Sequence, residues 1–206
     1  MSKLLINTAT EFKEIALLAN NKWHAKTWQE QASDLDHILP NIEQLLKETD
    51  TTLQDLDEVH VLQGPGSFTS LRLGIAAANT LAQELNIDLK VLNTADYITA
   101  RLPAPAPNFC LLKSGGQQVH VFKDGEYVEQ MPLADFINHH QNDTLTIATD
   151  FTDRLDKIWQ ATEHTLTALA AADWLPLDQA WGQIQKAEKP AEWPVVPEYF
   201  KDPGIS

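Results

Sequence analysis

The sequence predicts an α/β protein of two related halves, each a mixed sheet with helices packed against it. Three observations carry that expectation. Residues 59–92 read as a strand, a tight turn, a long helix and a second strand. The order strand, strand, strand, helix, strand occurs once in the first half and again from Phe109 to Ala148. Between the halves lies Leu102-Pro103-Ala104-Pro105-Ala106-Pro107, whose alternating prolines favour extended backbone and block helix.

In chain order, residues 3–7, 13–19 and 22–28 are expected as strands. Thr8-Ala9-Thr10 forms a polar loop and Asn20-Asn21 a hairpin turn. Leu35, Ile38, Leu39, Ile42, Leu45 and Leu46 recur at helical spacing, with His37, Asn41, Gln44 and Glu48 on the opposite side. Pro40 implies either a kink in this helix or a start near Leu39. Residues 51–56 read as a capped helical turn before the strand at Val59. That strand runs into Gln63-Gly64-Pro65-Gly66-Ser67-Phe68-Thr69, where Gly64 and Gly66 are free to take positive φ and Ser67 or Thr69 to cap the next helix.

At about 100° per residue, Leu71, Gly74, Ile75, Ala78, Leu81, Ala82 and Leu85 share the core arc of the 69–85 helix. Arg72, Asn79 and Gln83 supply polar positions, and Leu73, Ala76, Ala77 and Thr80 form a second, small and mostly apolar stripe. Asn86-Ile87-Asp88 is a helix stop and residues 89–92 a strand, so the unit should close with a right-handed crossover and parallel strands. Residues 94–102 add a short helix. The domain boundary is placed at the proline cluster, giving domains 1–102 and 103–206. In the second domain, residues 109–113, 118–122, 127–130 and 144–148 read as strands, with a turn at Lys123-Asp124-Gly125 and a helix over 133–140. After Asp150 the chain reads as helical to about Trp174, with no clear fifth strand. Residues 194–206 read as an extended tail returning to the first domain.

The chain has 206 residues, 43% of them hydrophobic, enough for a substantial core. Of its 15 basic and 29 acidic residues, 8 and 14 lie through Pro105, so neither half is a basic patch. A formal charge of -14 repels phosphate backbones over most of the surface, and contact with RNA is expected only through a partner. The single Cys110 excludes an internal disulfide, and no apolar run approaches the roughly 20 residues that span a bilayer. A cytoplasmic, non-membrane protein is expected.

Through Gly64-Pro65-Gly66-Ser67-Phe68-Thr69-Ser70-Leu71-Arg72-Leu73-Gly74-Ile75 the sequence resembles the bacterial TsaB family, of the actin, Hsp70 and sugar-kinase superfamily. Leu4-Leu5-Ile6-Asn7-Thr8-Ala9-Thr10, Ile38-Leu39-Pro40-Asn41-Ile42 and Pro197-Glu198-Tyr199-Phe200 extend the likeness. Residues 1–102 carry it well and the second half loosely. The resemblance implies a duplicated RNase H-like two-domain fold with mixed sheets. It further implies a non-catalytic scaffold subunit of the machinery that makes N6-threonylcarbamoyladenosine at position 37 of tRNA. The implied partners are a TsaD-like catalytic paralogue and a TsaE-like ATPase, with a homodimer possible in isolation and tRNA reached only through the complex. Family members usually carry Asp where this chain has Asn7, the phosphate-loop position. Asn brings no charge for a hard cation, so no nucleotide cofactor is expected. Lys113-Ser114-Gly115-Gly116 also departs from the family pattern.

The glycine-rich turn at Gly64 and Gly66 would have backbone N–H groups for phosphate, but Pro65 removes one donor and no Lys-Ser/Thr follows, so it reads as a structural turn. His139-His140 would diverge on a helix, no His-x-x-x-His pattern occurs, and no metal site is expected. Ser67 lacks the glycine two residues later that a nucleophile elbow uses. Asp96, Asp124 and Asp150 read as cap or turn residues, and no catalytic residue is assigned. Trp23 and Trp28 read as core or interface anchors. The partner interface is expected at Leu73, Ala76, Ala77 and Thr80, with His37, Asn41 and Gln44 of the neighbouring helix. The rival readings are an ATP-dependent small-molecule kinase of the same superfamily, against which Asn7 counts, and a glycoprotease-like peptidase, for which no metal or nucleophile is evident.

Overall fold

A computed structural model describes residues 1–29, 34–151, 166–169 and 171–200. They form two compact units, one of Met1–Thr94 with the chain from Gln185 onward, the other of Ala95–Ile184.

The first unit opens with an antiparallel meander of β1 (Ser2–Asn7), β2 (Phe12–Ala19) and β3 (Lys22–Gln29). Asn20 and Asn21 take φ of 53° and 62°, the left-handed pair that a two-residue hairpin demands. Helix α1 (Ile38–Glu48) places Pro40 in its first turn, where no helical acceptor awaits an N–H, and so begins one residue ahead of Leu39. In the turn Leu53–Asp55, the Asp55 carboxylate accepts from the Thr52 N–H and hydroxyl at 2.8 and 2.7 Å, and the chain enters β4 (Leu56–Gly64). Helix α2 (Phe68–Leu85) then ends at Asn86, left-handed at φ 52°, with the Ile87 N–H reaching the Ala82 carbonyl, and passes to β5 (Asp88–Asn93). Strand β4 runs parallel to both β1 and β5, giving the order β5-β4-β1-β2-β3.

Leu4, Ile6, Ile15, Leu17, Val59 and Val61 face Ile42, Leu45, Ile75 and Ala78 in one apolar cluster. Burying each large aliphatic side chain contributes about 1.5–3 kcal/mol. Leu81 and Leu85, at the edge of the α2 arc, are only partly buried.

In the second unit α3 (Thr94–Ala100) precedes β6 (Phe109–Lys113), β7 (Gln118–Lys123) and β8 (Glu126–Pro132), then α4 (Leu133–His139), β9 (Leu145–Thr149) and β10 (Leu166–Leu169). The sheet order β8-β7-β6-β9-β10 repeats that of the first unit, three antiparallel strands followed by two parallel ones. Leu111, Val119, Val121 and Ile147 pack on Leu133, Phe136 and Ile137 of α4.

Three expectations are corrected. The unit boundary falls at Thr94/Ala95 and the proline cluster is an exposed loop within the second unit, because Arg101 ties α3 inward: its side chain donates to the Tyr97 hydroxyl at 2.7 Å and the Leu175 carbonyl at 3.0 Å. A fifth strand exists at Leu166–Leu169, too short to carry a period. Of the helix expected up to Trp174, residues 152–165 lie outside the described residues, and Ala171–Asp173 is a single 3-10 turn. A helix went unread, α5 (Leu177–Ala187), which buries Leu177, Ala180, Trp181 and Ile184 at helical spacing although Gly182 interrupts its composition.

Beyond α5 the chain rejoins the first unit. Strand β11 (Lys189–Pro190) pairs antiparallel with β5, and Val195 is buried in the first unit's core. Asn79 of α2 brackets Val195: its Oδ1 accepts the Val195 N–H at 3.1 Å and its Nδ2 donates to the Val195 carbonyl at 2.9 Å. Glu198 N–H donates to the Gln63 carbonyl at 2.8 Å, and Arg72 Nε donates to the Tyr199 hydroxyl at 3.2 Å. The Phe68 ring stacks on Tyr199 at 5.1 Å, with the Arg72 guanidinium 3.8 Å from its centroid. At the point of return, Glu188 Oε1 lies 3.4 Å from Nδ1 of the fully buried His60, whose Nε2 lies 3.3 Å from Glu58; Lys3 pairs with that Glu58 carboxylate at 2.6 Å. Burial, with the Lys3 charge behind it, lowers the His60 pKa to about 4, while burial raises that of Glu188.

Candidate functional site

Asn7 ends β1 fully buried, and its amide is committed to the loop that follows. Its Oδ1 accepts the Ala9 N–H at 3.1 Å and the Thr10 N–H at 3.4 Å, while its Nδ2 donates to the Thr10 hydroxyl at 2.9 Å. The Thr10 hydroxyl in turn donates to the Phe12 carbonyl at 2.6 Å. The side chain at the phosphate-loop position therefore works as an Asx-type brace, uncharged and turned on its own backbone.

That braced loop lies directly on the glycine-rich turn. The Ser67 N–H donates to the Ala9 carbonyl at 3.3 Å, and a Cβ on Gly66 would collide with that same carbonyl. A Cβ on Gly74 would collide with the Thr8 hydroxyl. Of the two turn glycines only Gly64 takes positive φ, at 128°, and a Cβ there would also meet the Glu198 carbonyl at 2.5 Å. Gly66 is needed instead for close approach. Ser67 is the N-cap residue of α2, but its hydroxyl receives the Ser70 hydroxyl at 3.0 Å and makes no cap bond. One donor at the helix entrance is already used by protein, the Ser67 N–H on the Ala9 carbonyl. Asn7 brings no carboxylate to a metal-bound nucleotide, and among the described residues no group of three or more His, Cys, Asp or Glu gathers to hold a cation. Among the described residues no helix is long and apolar enough to cross a membrane.

The other flank of α2 is different. Leu73, Ala76, Ala77, Thr80 and Leu81 line one wall of an apolar groove of about 300 Å³, and Leu35, Ile38 and Leu39 line the other. Ala76 and Thr80 are exposed, and Leu35 and Leu39 are 69% and 62% exposed, so the groove brings several exposed apolar groups together. The four expected α2 residues thus come together on one wall. The residues expected from α1 do not line it: His37 stacks on Trp28 with ring centroids 5.3 Å apart, Asn41 is half-buried, and Gln44 donates to Glu48 at 2.8 Å. Leu35 and Leu39 were expected in the core arc. Leu35 lies in the 3-10 turn Asp34–Asp36 ahead of α1, so the helical projection does not reach it, and Leu39 sits at the edge of that arc in the first turn.

Two mixed sheets of matching strand order define the class: a duplicated, RNase H-like α/β protein of the actin type. The family model described as TsaD, tRNA N6-adenosine threonylcarbamoyltransferase, matches residues 30–145, and the chain belongs to that family, alongside the members named TsaB. The tRNA threonylcarbamoyladenosine biosynthesis protein TsaB of Buchnera aphidicola subsp. Acyrthosiphon pisum is 33% identical over 88 residues, 43% of this chain and 38% of the relative. The Bacillus subtilis protein of the same name is 31% identical over 102 residues, 48% of this chain and 44% of the relative. The match therefore spans less than half the length of these curated relatives. The solved structure of YeaZ from Pseudomonas aeruginosa aligns with a TM-score of 0.65 over 97% of this chain and 99% of that one, at 19% identity, a likeness of fold.

Proposed function

We propose that this chain is a non-catalytic docking subunit in the synthesis of N6-threonylcarbamoyladenosine on tRNA, and that it binds a TsaD-type catalytic paralogue through the α1–α2 groove. The observation that carries this reading is the apolar groove wall on α2. Beyond its fully buried arc this helix carries the exposed Ala76 and the half-buried Leu73 and Ala77, which also touch the first unit's core, where polar groups would otherwise stand. Small side chains on α2 let a partner helix approach closely, and the projecting Leu35 and Leu39 supply knobs for its grooves. A paralogue built on the same fold has a helix pair in the equivalent place, so the two pairs would meet as a four-helix contact supplying much of the roughly 1,600 Å² that a stable interface buries. A second copy of this chain is the expected occupant when the paralogue is missing. A TsaE-type ATPase joins the assembly, and tRNA is held by the partners because the net charge of -14 disfavours direct contact. The chain carries no nucleotide or metal of its own, in keeping with the uncharged, self-bonded Asn7.

The test is Thr80→Arg combined with Ala76→Glu, which places charges in the groove and leaves Leu71, Ile75 and Ala78 untouched. The folded variant, checked by circular dichroism, is expected to lose co-elution with the host's TsaD-type protein, with affinity falling at least 100-fold. Unchanged affinity would place the interface elsewhere.

A further inference from the structure

Beneath the groove lies a buried ion pair. Lys13 of β2 is 1% exposed, and its Nζ donates to Asp34 Oδ1 and Oδ2 at 2.8 and 2.9 Å and to the Ser70 hydroxyl at 2.9 Å. Asp34 also accepts the Trp28 indole N–H at 3.0 Å, and its carbonyl receives the His37 N–H at 3.1 Å. Burial pushes the Asp34 pKa up, but hydrogen bonds from Lys13, Ser70 and Trp28 outweigh it and hold the carboxyl below its ordinary value. The carboxylate is thus charged and fully engaged.

The partners come from four separate elements, and two of them, the turn at Asp34 and α2, bound the groove. Asp34 directly precedes Leu35, the outermost residue of one wall. Ser70 stands one turn before Leu73 on the other wall. Trp28 supports His37, the N-cap of α1. We propose that the Lys13–Asp34 pair is a positioning element for partner docking: it fixes the Leu35–Leu39 wall at a set distance and register from α2, so the groove is formed before the partner arrives. This rests on the groove's being the docking site. An apolar plug would fill the same volume, but only directional, charge-assisted bonds specify one arrangement of the two walls. A groove held open in advance spares the partner the ordering of Leu35 and Leu39 on binding.

The decisive variant is Lys13→Met with Asp34→Leu, which keeps the site filled and leaves no buried charge unpaired. Its thermal midpoint is expected within a few degrees of wild type. Its affinity for the host's TsaD-type protein, measured by calorimetry, is expected to fall at least tenfold, with the loss in the entropy of binding and not in its enthalpy. Affinity within twofold of wild type would overturn the proposal, as would a loss carried by enthalpy. Should the double variant not fold, Ser70→Ala decides, because it cuts the link from the ion pair to α2 and, besides that, only the bond to the Ser67 hydroxyl within the same helix entrance. It is expected to weaken binding about threefold, and no change would overturn the proposal. Thr80→Arg with Ala76→Glu runs in parallel. If that variant binds normally, the groove is not the docking site and the proposal fails with it. If it abolishes binding while the pair variants leave binding intact, only the positioning role is lost.

Discussion

The two flanks of α2 reverse the usual relation between polarity and burial. The flank bearing Arg72 and Asn79 is polar, and it is covered by residues 195–199 of the same chain. The flank bearing Leu73, Ala76 and Ala77 is apolar, and it lines an open groove. The difference teaches how one helix divides its surface between its own chain and another. Self-coverage here uses sequence-specific hydrogen bonds to backbone, which hold one segment in one register. The bare flank offers shape and apolar area, which suit a separate partner that supplies its own polar rim.

Breaking the covered flank sharpens that division. The largest effect is expected from Asn79→Ala, which strips the Val195 N–H and carbonyl of their partners and loosens a residue buried in the core. A loss of about 2–3 kcal/mol in urea unfolding is expected, with faster protease nicking after Ala191. Groove binding should survive if the flanks are independent, and a parallel loss of partner affinity would join them.

An intermediate effect comes from acid, at the point where the tail segment returns. His60 is neutral when folded, with its pKa depressed to about 4, whereas the unfolded chain takes up this proton near 6.5. The unfolded state therefore binds more protons between those values, and stability falls on acidification by up to about 1.4 kcal/mol per pH unit. Glu58, lowered, adds to the loss as pH falls through its range; Glu188, raised, opposes it by taking a proton early in the folded state. His60→Gln should flatten the urea midpoint between pH 6.5 and 4, and a variant profile as steep as wild type would contradict this assignment.

The smallest effect is expected from Tyr199→Phe. It removes one exposed hydrogen bond from Arg72 and keeps the stack on Phe68, so a change within about 0.5–1 kcal/mol is expected in the same unfolding assay.

Local signals in the sequence account for most of the fold. The Asn20-Asn21 turn, the stop at Asn86, the Thr52–Asp55 cap and the four strands of residues 109–149 each rest on chemistry confined to a few neighbours. Strand Leu166–Leu169 and helix Leu177–Ala187 did not, since the first is four residues long and the second mixes its apolar positions with Gly182 and three glutamines or aspartates in its first seven residues. For the groove, spacing alone grouped Leu73, Ala76, Ala77 and Thr80. It misplaced Leu35, because a helical projection assumes a helix that had not yet begun, and Leu39, which sits at the edge of the apolar arc in the first turn of α1. The Lys13–Asp34 pair was beyond reach: its members are 21 residues apart, and nothing in either neighbourhood announces a buried charge.

Asn79 and its partner Val195 are separated by 116 positions, most of which belong to the second unit. During synthesis at about 5–20 residues per second, α2 therefore waits on the order of 10 s between its own emergence and that of the segment that covers it. Through that interval both flanks of the helix are open, and the polar one is not yet distinguished from the apolar one by what lies on it. Docking of residues 195–199 is thus a late event, and among the described residues it covers the polar flank of α2 while the apolar wall of the groove stays open to a partner.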